Sequence, residues 1–391
     1  MLEKALVGGR RYWGLIILLL VIAGVGFIFY LRQLSYGLGI TGLSRDVPWG
    51  LYVANFTFLV GVAASAVMVV LPYYLHNYQR FGKLTTLGEF LAVAAVVMCI
   101  LFIVLDQGQP ARLYHVIVYP SPNSLLFWDM VVLNGYLLLN VVIGWSTLKA
   151  EWRSEPPPAW VKPLVLLSIP WAFSIHTVTA FIYSGLAARP FWLTAIMAPR
   201  FLASAFASGP ALLILICLIM RRFTKFDAGN EAVEKLAQIS SYAMIASVFF
   251  LLLELFTVYY ARIPAHMIHF QYLLFGLEGK AALVPWMWTS ILLACVALAL
   301  LINPGTRRKE NTLIVACGAV LGFTWIDKGL ALMVPGFIPS PTGQILEYSP
   351  TLPEVLMTLG VWAVGFVLLT ILYKITISVK EESSLSSPSL K

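Results

Sequence analysis

Residues 12–31 read YWGLIILLLVIAGVGFIFYL, a run without a single charged side chain. A helix rises about 1.5 Å per residue, so this run is long enough to cross the ~30 Å apolar core of a bilayer. No small-residue cleavage site follows the run, and we predict that it is retained as span 1. Similar windows predict ten spans in all, at residues 12–31, 51–75, 85–105, 125–148, 163–183, 201–220, 237–259, 283–302, 312–334 and 354–376.

Composition supports a membrane protein. The 391-residue chain is 60% hydrophobic and 11% charged, whereas soluble domains carry about 25% charged residues. The net charge of +8 would suit nucleic acid only as a solvated basic patch, but these basic residues lie in short loops. We predict an all-α integral membrane protein of one polytopic domain, residues 1–380, followed by a disordered, Ser-rich cytoplasmic tail, residues 381–391.

Small residues and loop charges suggest the arrangement of the spans. Spans 2 and 6 both contain runs of Gly, Ala and Ser, which allow close helix packing. We therefore predict two four-helix bundles, spans 2–5 and spans 6–9, with spans 1 and 10 flanking them. Most Lys and Arg residues outside the spans lie on the N-terminal side, which places both termini in the cytoplasm. The opposite, outer loops are rich in proline and aromatic residues, which favours docking of a partner.

Polar residues inside the spans are concentrated toward the outer side. Ionisable groups are costly in a bilayer and usually mark function. Each one alone could be a helix cap, a snorkelling side chain or half of a structural charge pair. Their joint position favours a pocket that opens outward. The outer group is Asn55, Asp106, Asp129, His176, Glu254, Asp327 and Lys328, and only Glu89 lies toward the inner end.

The residue types limit the chemistry. Only His176 lies well inside a span, which argues against a haem with two histidine ligands. The cysteines lack the spacing of a zinc or iron–sulfur site, and no GxSxG or HExxH motif occurs. What remains is transport, or proton-linked binding of an amphipathic molecule such as a quinol, which needs an apolar slot, hydrogen-bond partners and a base. Candidate lining residues are Trp49, Tyr52, Phe56, Trp128, Trp171, Tyr183 and Trp325.

Three motifs carry a family resemblance. They are DVPWGLYVANF at 46–56, DQGQPAR at 106–112 and SLLFWD at 124–129. Together they resemble the NrfD/PsrC polysulfide-reductase membrane-subunit family, over residues from about 45 to 376. The ten spans are similar to the HybB/DsrP-like branch, and within it the chain most resembles the DsrP subunits of DsrMKJOP complexes. Lys328 stands where other members carry an arginine, so any role specific to arginine does not transfer.

The resemblance implies a function in electron transfer. It implies a quinone-binding subunit of the inner membrane that has no haem or iron–sulfur cluster of its own and that takes menaquinone or menaquinol as bound substrate. Electrons would pass between the quinol and a ferredoxin-like, DsrO-like iron–sulfur subunit on the periplasmic side, within a DsrMKJOP-like complex of sulfur metabolism.

We assign residue roles on this basis. Asp129 and His176 are the predicted catalytic proton acceptors or quinone partners. Residues expected to bind the quinone or to order the docking loop are Asn55, Asp106, Arg112, Trp128, Trp49 and Tyr52. A proton path is predicted through Glu254, Asp327, Lys328 and Glu89, and no metal site is expected. Two alternatives remain open: a proton-coupled secondary transporter, and a purely structural membrane anchor.

Overall fold

The computed structural model describes residues 1–386, and these contain no β-strand. Ten helices are long and apolar enough to cross a membrane, which confirms the predicted spans. Their bounds are α1 Arg10–Tyr36, α2 in two segments Leu51–Ala63 and Ser65–Leu75, α3 Thr85–Asp106, α4 Leu125–Trp152, α5 Val161–Ser184, α6 Met197–Phe223, α7 Asn230–Tyr260, α8 Val284–Ile302, α9 Glu310–Trp325 with its continuation, and α10 Leu352–Ser386.

Helix α9 continues through a π-helical turn, Ile326–Leu330, and the short α-helical segment Ala331–Met333. Helix α10 continues through Ser386, so residues 381–386 of the predicted tail are helical. The rest of that predicted disordered segment, 387–391, lies outside the described residues. Short helices in the loops are Leu2–Leu6, Gly37–Ile40, Gln79–Phe81, Pro110–Arg112, His115–Val118, Pro190–Trp192, Pro264–Phe275, Pro304–Arg307 and Pro335–Phe337.

The ten helices form two four-helix bundles with two flanking helices. Helices α2 to α5 pack in one ring and α6 to α9 in another, while α1 and α10 pack together beside α3. The rings meet where α2 and α5 contact α6. A Cβ atom on Gly209 of α6 would lie 2.8 Å from the backbone nitrogen of Ser65 on α2, so this crossing requires glycine.

The spans differ in how much of their apolar surface is buried inside the protein. In α2, 94% of the most apolar window is buried, because this helix belongs to the first ring and also packs against α6 of the second. In α1 only 11% of that window is buried, so most of this helix is left for lipid. Helix α1 is held by a close contact with α10, where a Cβ atom on Gly26 would lie 2.7 Å from the Cα of Gly360.

The two ends of the helix assembly differ in composition. The N-terminal segment and the end of α10 lie together, joined by a Lys4–Glu382 ion pair, and we call this end the terminal face. The opposite end carries the loops that follow the odd-numbered helices. We call it the aromatic face, after the ring cluster of Trp49, Trp192 and Phe337.

Candidate functional site

The ring cluster ties three loops to α5. Trp49 stacks on Trp192 with centroids 5.6 Å apart, and the edge of Phe337 meets both indoles at 5.5 and 5.0 Å. Tyr183, near the end of α5, meets Trp49 edge-on at 5.7 Å. These are favoured aromatic geometries. The Trp192 indole also donates a 2.8 Å hydrogen bond to the Leu332 carbonyl, which fixes the cluster to the end of α9.

Two adjoining cavities open on the aromatic face next to this cluster. The first, about 560 Å³, lies between the loop 188–190, the helix segment 264–269 and the segment 336–341. The second, about 410 Å³, is lined by Trp49, Phe337 and the loop 185–189. They share Ala188 and Arg189. Their size is typical of small-molecule sites, and neither is lined by Asn55, Asp129 or His176.

Arg189 supplies a positive charge where the cavities meet. Its guanidinium carbon lies 4.7 Å from the centre of the Phe337 ring, a cation–π contact. Among residues 1–386, no Asp or Glu forms an ion pair with Arg189. Its N–H groups are therefore not committed to a carboxylate.

His269 is the second polar residue of the first cavity. A carbonyl oxygen only accepts, so the 2.9 Å contact with the Pro335 carbonyl places the proton on Nδ1. The ring is packed against Phe191 with centroids 4.9 Å apart. Burial lowers the pKa of His269 to about 4, although the bond to Pro335 opposes this shift. The imidazole is thus neutral near pH 7, and its Nε2 is a hydrogen-bond acceptor.

A polar stripe runs down α5 below the ring cluster. Tyr183, Thr179 and His176 lie on one face of the helix because of their spacing. Thr57 donates to its own helix at Val53, so the 2.7 Å contact between Tyr183 and Thr57 has the tyrosine as donor.

The two predicted catalytic residues both adjoin this stripe. The Thr179 hydroxyl donates a 2.7 Å hydrogen bond to Asp129, a buried residue of α4. His176 is fully buried, and neither of its ring nitrogens has a hydrogen-bond partner in the described part of the chain. The structure therefore brings Asp129 and His176 to neighbouring positions of one stripe.

Asn55 lies elsewhere. Its side-chain oxygen accepts hydrogen bonds from the indoles of Trp325 at 3.1 Å and Trp362 at 3.0 Å, and its amide donates to the Leu51 carbonyl. Asn55 and Thr57 are two residues apart on α2 and so face different sides. The structure does not bring Asn55 to the α5 stripe; it joins α2 to α9 and α10.

A buried ion triad joins three helices of the second bundle. Arg200 forms 2.7 Å contacts with Glu254 of α7 and Asp327 of α9, and all three side chains are at most 8% exposed. Arg200 lies just before the predicted span 201–220, and the prediction that it belongs to the outer loop is wrong, because α6 begins at Met197 and includes it. The sequence did carry a signal for this arginine: the predicted spans of this region contain two carboxylates, Glu254 and Asp327, and only one lysine, Lys328, to balance their charge.

Lys328 lies next to Asp327 in the π-helical turn but, among residues 1–386, forms no ion pair with the triad. The Lys328 ammonium lies 4.2 Å from the centre of the Phe201 ring and 3.5 Å from the Phe201 carbonyl. It also approaches α2, since a Cβ atom on Gly61 would lie 3.3 Å from it. Neighbouring residues on a helix point in different directions. Of the predicted proton path, Glu254 and Asp327 therefore share Arg200, while Lys328 lies toward α2 and α6.

A model of the polysulphide reductase NrfD family matches residues 39–339, most of the chain. The chain belongs to the NrfD family. It is 27% identical to a putative dimethyl sulfoxide reductase membrane subunit of Halobacterium salinarum, over 91% of this chain and 88% of that one. It is 23% identical to an Hdr-like menaquinol oxidoreductase integral membrane subunit of Archaeoglobus fulgidus, over 95% of each. A selenate reductase subunit of Mesobacillus selenatarsenatis is 24% identical over 91% of each.

The NrfD match coincides with the central architecture. It begins before α2 and ends at Pro339, so it contains both four-helix bundles and most of the segments that line the two cavities. Helices α1 and α10 lie outside it. The predicted family membership is confirmed.

Other predicted binding residues are spread along the aromatic face. The Tyr52 hydroxyl donates to Gln33 of α1 at 3.1 Å, away from the cavities. Asp106 ends α3, and its buried Oδ1 has no hydrogen-bond partner among residues 1–386. Arg112 is exposed in the following loop. Trp128 is 44% exposed and donates to the Pro122 carbonyl. Only Trp49 of the predicted binding residues lines a cavity.

Glu89 lies apart from the other predicted path residues. It is on α3 toward the terminal face, 2% exposed, and its Oε2 has no hydrogen-bond partner in the part of the chain that the structure describes. A Cβ atom on Gly144 would approach this oxygen to 3.2 Å, so glycine leaves room for it. In the same part, no group of three or more His, Cys, Asp or Glu side chains is placed to hold a metal ion.

Proposed function

We propose that this chain is the quinone-binding membrane subunit of a redox complex and exchanges electrons between menaquinol and an iron–sulfur partner at the aromatic face. The observation that carries the proposal is the pair of adjoining apolar cavities, which lie next to the ring cluster above the α5 stripe. The names of two relatives support it: the Archaeoglobus protein, and a menaquinone reductase integral membrane subunit of Nitratidesulfovibrio vulgaris that is 22% identical.

The chemistry needs an apolar slot and nearby proton acceptors. Oxidation of a quinol to a quinone releases two electrons and two protons, and the iron–sulfur partner takes the electrons. Asp129 and His176 are the proposed proton acceptors. Tyr183 contacts the ring cluster at one end and belongs to the α5 stripe at the other. One turn along α5 from Tyr183, Thr179 donates to Asp129.

The partner and the orientation are part of the proposal. Loops rich in proline and aromatic residues form the aromatic face, which suits docking of a ferredoxin-like, DsrO-like subunit within a DsrMKJOP-like complex. The excess of Lys and Arg on the terminal face favours a cytoplasmic location for both termini and a periplasmic location for the aromatic face of the inner membrane. In this proposal the chain itself carries no haem or cluster.

Asp129→Asn and His176→Ala test the proton role. Each replacement removes a proton acceptor while keeping the helix, and we expect quinol-linked reduction by the membrane complex to fall at least about 100-fold, with assembly intact. Ser174→Ala is the control on α5, because Ser174 is partly exposed and, among residues 1–386, its hydroxyl donates only to Pro170 of its own helix. Unchanged turnover in both test variants would refute the assignment.

Co-purification tests the partner. The complex isolated through this chain should contain an iron–sulfur protein, and metal and haem analysis of the separated subunits should place the iron there. Haem or clusters bound to this chain alone would contradict the proposal.

One observation favours a transporter instead. Two central helices depart from regular α geometry, α2 at Ala64 and α9 at the π-helical turn, and transporters often bind substrate at broken helices. Both departures keep helical backbone torsions at the bounding residues, so neither exposes an unwound segment. Ion or solute uptake into vesicles that contain this chain alone, without added quinol, would favour the transporter.

A further inference from the structure

The first cavity has a mainly apolar wall that contains several prolines. It lies where the chain leaves α5, enters the helix Pro264–Phe275 and leaves α9. Its lining includes Pro190, Pro264, Pro339 and Pro341. Proline fixes its own backbone torsion, so this wall is stiff. The cavity is therefore a stiff, mainly apolar site of about 560 Å³, large enough for an aromatic ring.

Few polar side chains face this wall. Of the three that line it, Ser340 is already engaged, through its hydroxyl contact with Thr342 at 2.9 Å and the Gln344 amide at 3.2 Å. Arg189 offers donors and no acceptor. His269 offers an acceptor, because its single ring proton is held by the Pro335 carbonyl. The cavity thus offers one hydrogen-bond donor group, the Arg189 guanidinium, and one acceptor, the His269 imidazole, on a mainly apolar surface.

This arrangement discriminates between the two redox forms of a quinone. A quinol carries two hydroxyl groups that can donate, whereas an oxidised quinone carries only acceptor oxygens. We propose that the first cavity binds the quinol ring and that His269 accepts a hydrogen bond from one quinol hydroxyl, so that the site prefers the reduced form. This inference rests on the proposed quinone function and adds to it a site that Asp129 and His176 do not line. Packing against Phe191 and the bond to Pro335 hold the imidazole in place.

Binding of menadiol and menadione to the full chain in lipid nanodiscs tests the site. The titrations are anaerobic, and binding to empty nanodiscs is subtracted. The wild-type chain should bind menadiol more tightly than menadione. His269→Phe keeps an aromatic ring against Phe191 but removes the acceptor together with the N–H bond to Pro335, and menadiol affinity should fall about tenfold while menadione affinity is unchanged. His269→Gln returns an acceptor oxygen and should keep most of the preference.

Two further variants make the result decisive. Ala265→Leu adds bulk to the lining of the first cavity while leaving the His269 acceptor present, and it should weaken both ligands. His266→Phe is the matched control, since it lies on the same short helix outside the lining and should change neither affinity. If His269→Phe does not fold, as judged by gel filtration, Ala265→Leu decides. Unchanged menadiol affinity in a folded His269→Phe or in Ala265→Leu would overturn this site alone, whereas a wild-type chain that binds neither ligand would overturn the quinone function as well.

Discussion

Replacing Arg200 with Met should destabilise the chain more than any surface change. The substitution keeps an unbranched side chain of similar length but removes the cation that faces Glu254 and Asp327 at 2.7 Å each. At an effective dielectric constant of about 20, two charges about 4 Å apart attract by about 4 kcal/mol, before desolvation is subtracted. Removing one member of a buried ion pair costs about 3–5 kcal/mol, because the remaining charge is left uncompensated. Here two carboxylates remain, so we expect the upper part of that range.

A triple variant without any of the three charges distinguishes the cost of leaving buried carboxylates unpaired from the loss of attraction between the charges. Arg200→Met combined with Glu254→Gln and Asp327→Asn removes all three charges together. Because the desolvation cost disappears with them, this variant should recover most of the lost stability. If the triad stabilises chiefly through attraction, the triple variant should instead stay as unstable as Arg200→Met.

Thermal unfolding of the detergent-solubilised full chain, followed by tryptophan fluorescence, measures these effects. The control is Arg221→Met, which removes an arginine paired with Asp227 and Glu310, two residues whose side chains are 59% and 52% exposed. Exposed pairs contribute about 0–1 kcal/mol, so the control should unfold close to the wild-type temperature. An Arg200→Met variant as stable as Arg221→Met would refute the reasoning.

Two further predictions concern Asn55 and His269. Asn55→Leu leaves the indole N–H groups of Trp325 and Trp362 without their acceptor, and each unpaired group should lower the free energy of unfolding by about 1–3 kcal/mol in the same assay. Wild-type stability of this variant would show that water or another acceptor replaces Asn55. Menadiol binding should be independent of pH between 6 and 8, because the neutral acceptor form of His269 is lost only as the pH falls through its lowered pKa of about 4. A change in menadiol affinity with a midpoint near pH 6.5 would contradict this.

The sequence was sufficient to predict the ten spans and the family. Each span is a local property of some twenty consecutive residues, so apolar length and loop charge determine it without knowledge of the neighbours. The motifs that carry the family resemblance are equally local. The arrangement of the helices in two rings depends on which helices pack together. In the sequence, only the small residues of spans 2 and 6 indicated that packing.

The convergence of polar residues was predicted only in part. Depth along a helix can be counted from sequence, and in the structure Asp129 and His176 both adjoin the α5 stripe. The direction in which a side chain points depends on how the helix is rotated in the bundle, so Asn55, at a similar depth, faces α9 and α10 instead. The cavities are formed by loops, including the segment with His269, whose paths no periodicity predicts. Arg200 was misplaced because the boundary of α6 was set one turn too late.

Charge balance in the second bundle links the triad to Lys328. One arginine and two carboxylates leave the triad with an excess negative charge in a region where uncompensated charge is costly. Lys328 follows Asp327 directly in the π-helical turn, and its ammonium lies against Phe201 of α6 and close to Gly61 of α2. The formal charges of Asp327, Lys328, Arg200 and Glu254 sum to zero. Single π-helical turns occur frequently at functional sites. Here the turn holds both the carboxylate that completes the triad and the lysine that approaches the central helix α2.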